Sequence, residues 1–473
     1  MALILTLERI LWTVPLPLIL MGSHLYFTIH LRGIQQYTLR GIRKSLGSGR
    51  KNADGVSAWG ALATSLAAAI GTGNIIGVAT AVALGGPGAV FWCWLTGAFG
   101  MATRYGETLV CLLHRKNRPS GKPTGGAMYV MRDVLGWRTL GAIFAWMGVA
   151  AAVGTGALIQ SNAIAQTLGE KGVPLVLTGI LVTAVAGAVI LGGVGSIAKV
   201  CEALVPAMSG LYLLGCGAVL VRCGGQILPA LALIVKSAVT PQAAGGGFVG
   251  STIWIAARYG MARGLFTNES GMGTAPMAAA AGPGTQPQEE ALISMTGVFW
   301  DTVVICAMTG ITLVAAMLQF PERFQNTAAG TLCFRAFSCI PGGELVLTVS
   351  LVTFAFSTVV GWCYYGECCM EYLLGQRWVL PYRLTYLASA FLGAFAELEL
   401  VWSIGGILAG LMAVPNVMML FAMRREITAP SVPGKCRTLR ETGCFSAKNR
   451  YNNRRNGCSA GHSDCPIRKE EPL

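Results

Sequence analysis

The sequence predicts an all-α integral membrane protein with about eleven transmembrane helices. Of its 473 residues, 53% are hydrophobic and only 12% are charged. The mean hydropathy of +0.58 lies outside the range of soluble proteins. The 62 glycines are typical of helices that pack closely in lipid. Apolar runs of about 20 residues, the length that crosses a bilayer, recur along the chain.

Eleven runs have this length. They cover residues 9–29, 57–82, 88–112, 139–166, 173–192, 201–221, 250–281, 291–318, 344–373, 383–398 and 400–422. The chain therefore divides into an N-terminal helix with a cytoplasmic basic loop (1–53), a first five-helix repeat (54–222), an extracellular connector (223–249), a second five-helix repeat (250–422) and a basic tail (423–473). The tail is too polar to bury a core, so we expect it to be disordered.

Basic residues indicate how the chain is oriented in the cell membrane. They cluster after the first run, in 32–51, and after the third, in 115–132. Positive loops stay in the cytoplasm, so we expect the N-terminus outside and the C-terminus inside. The net charge of +14 is explained by these loops and the tail. A basic surface with interleaved aromatic residues, which nucleic-acid binding needs, is not visible.

The sequence gives little support to an enzyme or a channel. It contains neither an H-E-x-x-H zinc helix nor a G-x-S-x-G nucleophile elbow. Most of the 15 cysteines lie in apolar runs, and those in the tail lack C-x-x-C spacing, so they indicate buried apolar residues rather than a metal site. A channel needs a filter or charged ring around an axis.

Two of the predicted spans are interrupted by glycine and polar residues. The second contains Gly71, Thr72, Gly73 and Asn74 in its middle. The seventh contains, at the corresponding place, Gly264, Thr267, Asn268, Glu269, Gly271 and Gly273. Unpaired backbone groups are costly in lipid, so such breaks persist where they line a cavity or bind a ligand. Free carbonyls suit a cation, and a half-helix N-terminus suits a carboxylate.

The two breaks also predict an inverted repeat. Each opens a set of five helices, and the two sets cross the membrane in opposite directions. This arrangement is typical of secondary transporters. The alternative, that the glycines only allow close helix packing, remains open.

Three stretches carry a resemblance to a known family: residues 71–107 (GTGNIIGVATAVALGGPGAVFWCWLTGAFGMATRYGE), 258–281 (RYGMARGLFTNESGMGTAPMAAAA) with 296–302, and 354–373 (FAFSTVVGWCYYGECCMEYL). On these motifs the sequence resembles the sodium:alanine symporter family over residues 10–422. The resemblance implies a leucine-transporter-like fold of ten core helices plus one extra N-terminal helix. It also implies Na+-coupled symport of a small neutral amino acid, usually alanine or glycine.

The resemblance further assigns roles to individual residues. Substrate contacts are expected from Thr72, Gly73, Asn74, Gln160, Phe266, Thr267, Asn268 and Trp362. The amides of the first break would bind the substrate carboxylate, and the aromatic side chains would limit substrate size. Na+ ligands are expected from the carbonyl groups near Ala67 and Ile70 and from the hydroxyl groups of Ser357 and Thr358. Oxygen ligands suit this hard cation.

Other interpretations remain open. Asn74 and Gln160 could form hydrogen bonds between helices without a ligand, and Trp362 could be ordinary packing. A proton-coupled carrier of the same fold is an alternative, with Asp301 as its protonatable group. A sensor that binds an amino acid without moving it is a third possibility.

Overall fold

The computed structural model describes residues 2–47, 55–117, 123–241, 252–283, 286–325, 327–396 and 398–430. Residues 242–249 of the predicted connector and the predicted tail beyond residue 430 lie outside the described residues. Within the described connector, a helix at Ile227–Val239 forms where the sequence had suggested only a link.

Helices make up nearly all of the described chain. The first half contains α1 (Ala2–Thr13), α2 (Pro15–His30), α3 (Thr38–Gly47), α4 (Ala58–Ala69), α5 (Val78–Gly85), α6 (Gly88–Leu113), α7 (Ala127–Asp133), α8 (Arg138–Ala151), α9 (Ile159–Gly169), α10 (Leu175–Ile190), α11 (Gly193–Arg222) and α12 (Ile227–Val239). The second half contains α13 (Ile253–Asn268), α14 (Ala275–Ala280), α15 (Pro287–Val298), α16 (Ala307–Gln319), α17 (Leu332–Phe337), α18 (Gly343–Leu374), α19 (Val379–Gly393) and α20 (Leu398–Ala422).

Shorter elements join these helices. Three π-helical stretches lie at Gly73–Gly77, Ala152–Leu158 and Phe299–Cys306. The short 3-10 helices lie at Ile34–Tyr37, Gly224–Gln226, Pro321–Phe324, Ala329–Thr331 and Gln376–Trp378. Strands β1 (Lys116–Asn117) and β2 (Pro123–Thr124) pair antiparallel. The first of these stretches lies in the first predicted break. Such π-helical turns often occur at functional sites.

Several helices have the length and apolar composition of membrane spans. Among the described residues, six single helical segments qualify: Leu3–His30, Arg138–Gly169, Gly193–Arg222, Pro287–Gln319, Gly343–Leu374 and Trp402–Ala422. Ala58–Ala69 and Gly73–Gly85, which meet at an angle of 52°, make a seventh if this bent pair is counted as one span. The chain is therefore a multi-pass membrane protein. The full count of eleven spans stays a prediction.

The first break lies where the sequence predicts it. Helix α4 ends at Ile70, whose backbone is extended (φ −76°, ψ 96°). The helix resumes as the π-helical turn Gly73–Gly77 and continues into α5. The tight approach of α18 fixes this region, since a Cβ atom on Gly361 would lie 2.7 Å from the backbone nitrogen of Ala68.

The second break begins later than the sequence suggests. Phe266, Thr267 and Asn268 lie in the last turn of α13 rather than in the break itself. The Thr267 hydroxyl donates to the Arg263 carbonyl at 2.8 Å, so this side chain is turned back onto α13. The helix ends at Glu269, whose φ of +55° is unusual for a residue other than glycine. The unwound segment therefore lies between α13 and α14.

Candidate functional site

Four oxygen atoms from two helices converge beside the first break. The Ser357 hydroxyl lies 3.2 Å from the carbonyl oxygen of Ala67 and 3.4 Å from that of Ile70. The Thr358 hydroxyl lies 3.2 Å from the former and 3.3 Å from the latter. All four residues are buried. We call this set the oxygen cluster, and it consists of the four residues predicted as Na+ ligands.

The geometry of the oxygen cluster suits a cation. Both hydroxyl groups can donate their single proton to the Phe354 carbonyl of their own helix, at 2.8 Å for Ser357 and 3.0 Å for Thr358. Their lone pairs then face the carbonyl oxygens of α4. Ca2+, an ion of similar size to Na+, binds oxygen at about 2.3–2.6 Å. Ligands at right angles around such an ion are about 3.3–3.7 Å apart, close to the separations in the cluster.

A buried cavity lies next to the oxygen cluster. Its wall consists of Ala68, Ala69, Gly71, Gly73, Thr155, Gln160, Phe266, Thr267, Glu269, Met272, Thr358, Trp362 and Ala409. The cavity volume is only about 20 Å3. The structure thus brings Gly73, Gln160, Phe266, Thr267 and Trp362 together, as the resemblance implies. This volume holds about one water molecule, so an amino acid can enter only if the wall moves.

Polar groups in the cavity come from three helices. The Gln160 amide oxygen accepts from the Thr72 hydroxyl at 3.2 Å, and its amide nitrogen donates to the Thr155 carbonyl at 3.3 Å. Glu269 places a carboxylate in the wall, where it accepts from the Thr274 hydroxyl at 2.7 Å. The cavity therefore presents both an amide and an acidic group beside the broken helix.

Asn74 and Asn268 do not line this cavity. The Asn74 amide oxygen accepts from Gly71 N at 2.9 Å, and its nitrogen donates to Asp301 Oδ1 at 2.7 Å. The Asn268 amide oxygen accepts from Ser270 N at 2.9 Å. Both side chains hold the backbone of a break in place. Thr72 does not line the cavity either, but its hydroxyl group donates to Gln160, which does.

The backbone of the second break is held by charged and amide side chains. Glu107 Oε2 accepts from Gly271 N at 3.1 Å, from Gly273 N at 3.2 Å and from the Asn416 amide at 3.0 Å. Arg104 donates to the Asn268 carbonyl and pairs with Glu107 at 3.5 Å. Since all these groups are buried, this clamp satisfies backbone groups that lipid could not.

Three further residues of the cavity wall were not predicted from the sequence: Thr155, Met272 and Ala409. Thr155 lies in the π-helical stretch Ala152–Leu158, and a polar residue between two glycines was a usable signal. Met272 lies in the recognised second break. Ala409 carried no signal, because a small apolar residue in an apolar span resembles its neighbours.

We expect Gly71→Ala to abolish substrate uptake. A Cβ atom at this position would lie 2.7 Å from Thr358 Oγ1 and 3.5 Å from Gln160 Oε1, so a methyl group would enter both the oxygen cluster and the cavity. Gly217→Ala is the control, because nothing lies within 4 Å of its Cβ position. Uptake would be measured at equal membrane abundance. Transport by Gly71→Ala at the wild-type rate would contradict this placement.

Structural comparison shows the fold. The fold resembles that of MhsT, solved in complex with L-phenylalanine, with a TM-score of 0.59 and 16% sequence identity. The likeness covers 81% of this chain and 94% of that one, and MhsT has a leucine-transporter-like fold. The chain therefore has a leucine-transporter-like fold.

Sequence comparison shows the family. Residues 1–431 match the sodium:alanine symporter family. The chain is 40% identical over 427 residues to the sodium/alanine symporter AgcS of Methanococcus maripaludis, covering 88% of this chain and 93% of that protein. It is 43% identical over 430 residues to an uncharacterized transporter of Haemophilus influenzae, covering 89% and 93%. The chain belongs to the sodium:alanine symporter family, and it is a transporter rather than an enzyme.

Proposed function

We propose that the protein couples the uptake of a small neutral amino acid, alanine or glycine, to Na+ entry by alternating access. The observation that carries this proposal is the position of Thr358, whose side chain belongs to the oxygen cluster and also lines the cavity. A cation bound there and a substrate in the cavity would stabilise the same local structure. Each would then raise the affinity for the other, which is thermodynamic coupling.

The cavity supports a particular orientation of the substrate. Gly71 and Gly73 place the start of a half-helix at the wall, and a carboxylate is stabilised at such an end. Glu269 lies in the same wall and can accept hydrogen bonds from an ammonium group. Phe266 and Trp362 also line the cavity, and the bulk of their rings favours a substrate whose side chain is a hydrogen atom or a methyl group. A larger side chain would require these two rings to move.

The finer membrane topology is part of the proposal. We assign eleven spans, in two inverted sets of five after one N-terminal helix, with the N-terminus outside and the C-terminus in the cytoplasm. The basic loops after the first and third spans support this orientation. The repeat is supported by the two breaks, which fall in the first helix of each set.

Proton coupling is the alternative that one feature favours. Asp301 is buried and accepts hydrogen bonds from neutral donors, Asn74 Nδ2 at 2.7 Å and the Thr302 hydroxyl at 2.7 Å. It forms no salt bridge with any residue that the structure describes. A proton-coupled carrier would transport without Na+ and would lose accumulation with an uncoupler.

Equilibrium binding tests the proposal on the purified protein. Labelled alanine should bind in NaCl and not in choline chloride, because the cation completes the site. Glycine should displace it, and leucine should not, because the rings of Phe266 and Trp362 in the cavity wall disfavour a branched side chain. Binding of alanine that is equal in both salts would contradict Na+ coupling.

A further inference from the structure

A second and larger cavity adjoins the first one. It measures about 340 Å3, against about 20 Å3 for the cavity beside the oxygen cluster. Its wall consists of Leu5, Glu8, Arg9, Trp12, Arg258, Tyr259, Ala262, Arg263, Phe266, Trp402, Ser403 and Gly406. We call this cavity the vestibule. Three helices build it: α1, α13 and α20.

One side chain separates the two cavities. Phe266 is the residue that lines both of them. Its ring contacts Trp12 edge-on, with centroids 5.8 Å apart, and lies 6.4 Å from the ring of Trp402. The Trp12 indole donates to the Gly406 carbonyl at 3.1 Å, which fixes it against α20. These three aromatic rings form the floor of the vestibule.

The charges of the vestibule face one another without pairing. Glu8 on α1 is close enough to Arg258 and Arg263 on α13 for direct electrostatic attraction. Among the residues that the structure describes, none of the three forms a salt bridge. Arg263 lies over the Trp402 ring, 5.7 Å from its centroid. The carboxylate of Glu8 and three guanidinium groups, those of Arg9, Arg258 and Arg263, therefore line one cavity.

We propose that the vestibule is a second binding site for a zwitterionic α-amino acid. The guanidinium group of Arg263 would bind the carboxylate, and Glu8 would bind the ammonium group, so the ligand would complete the charge pairing that the side chains leave open. The aromatic floor provides an apolar surface for a small side chain. The volume lies in the usual range of ligand pockets, about 300–1,000 Å3.

The N-terminal helix gives this site its selectivity. Without Glu8, the vestibule would carry only positive charge and would attract anions in general. With it, the site can bind an ammonium group as well as a carboxylate. Phe266 is part of the floor and also lines the cavity beside the oxygen cluster, which we call the inner cavity. A ligand bound in the vestibule therefore lies next to the inner cavity. The inference rests on the proposed function, because the same amino acid would pass from the vestibule to the inner site.

The test counts alanine molecules bound to the full-length protein in lipid nanodiscs. In NaCl we expect two per chain at saturation for the wild type and one for Glu8→Gln. Arg263→Gln should also bind one, whereas Arg263→Lys should keep two because it retains the charge. Glu170→Gln is the control, since it removes an exposed carboxylate that does not line the vestibule. Propionate, which lacks the ammonium group, should not displace the second alanine.

The outcomes separate this inference from the proposed function. One alanine per wild-type chain, or two per Glu8→Gln chain, would overturn the second site while leaving the inner site and Na+ coupling intact. Displacement by propionate would also overturn it, since the vestibule would then be a general anion site. No binding of alanine in NaCl would instead contradict the proposed function itself.

Discussion

Thr358→Val is expected to raise the Na+ concentration that half-saturates alanine uptake by at least about 10–100-fold. The substitution keeps the shape of the side chain and removes the hydroxyl group, whose oxygen lies 3.2 Å from the Ala67 carbonyl and 3.3 Å from the Ile70 carbonyl. Removing even an indirect partner of a metal site typically lowers metal affinity about 10–100-fold, and loss of a ligand should cost at least as much. The apparent affinity for Na+ would be obtained from the Na+ dependence of uptake in proteoliposomes.

A matched substitution on the same helix serves as the control. Thr348 is also buried on α18, and its hydroxyl donates to the Glu344 carbonyl of its own helix at 2.8 Å. Thr348→Val should therefore leave the Na+ dependence unchanged. If the two variants have the same Na+ dependence as the wild type, the oxygen cluster does not bind the coupling ion.

Glu107→Ala should strongly destabilise the protein. Glu107 and its partner Arg104 are almost fully buried, with 0% and 2% of their side chains exposed. Removing one member of such a pair typically costs about 3–5 kcal/mol, because the other charge stays buried. The substitution would also leave the amides of Gly271 and Gly273 without their acceptor. A lower melting temperature and less folded protein in the membrane are the expected results.

An exposed ion pair gives the comparison for this prediction. Glu344 pairs with Lys171 at 3.1 Å, and both side chains are about half exposed (53% and 44%). Exposed pairs contribute little to stability, so Glu344→Ala should leave the melting temperature nearly unchanged. Equal stability of Glu107→Ala and Glu344→Ala would show that the clamp does not hold the second break.

The positions of the helices and of the two breaks could be predicted from the sequence because hydropathy and residue type are local properties. Hydropathy places the helices, and glycine with polar residues in an apolar run marks Gly71 and Gly273 as parts of breaks. The convergence of Ser357 with Ala67 was expected from the family resemblance alone, since 290 residues separate them. The structure brings them together, and their role as Na+ ligands stays a prediction.

The parts that sequence reasoning missed depend on contacts between distant segments. The backbone amide of Asn74 was predicted to bind substrate, and this role stays a prediction. The contact of its side-chain amide with Asp301, which lies 227 residues further along the chain, was not predicted. The clamp of Glu107 with Asn416 spans 309 residues. Neither partner could be chosen from spacing or periodicity. The vestibule likewise depends on how the N-terminal helix packs beside α13 and α20.

The most direct test of the central claim is accumulation of labelled alanine in proteoliposomes with an imposed inward Na+ gradient. Saturable accumulation above the external concentration is expected with this gradient and not in a choline control. Parallel assays with a proton gradient and an uncoupler identify the coupling ion. Accumulation that survives Na+ removal and collapses with the uncoupler would contradict Na+ coupling, and no alanine or glycine uptake under any gradient would contradict symport of these substrates.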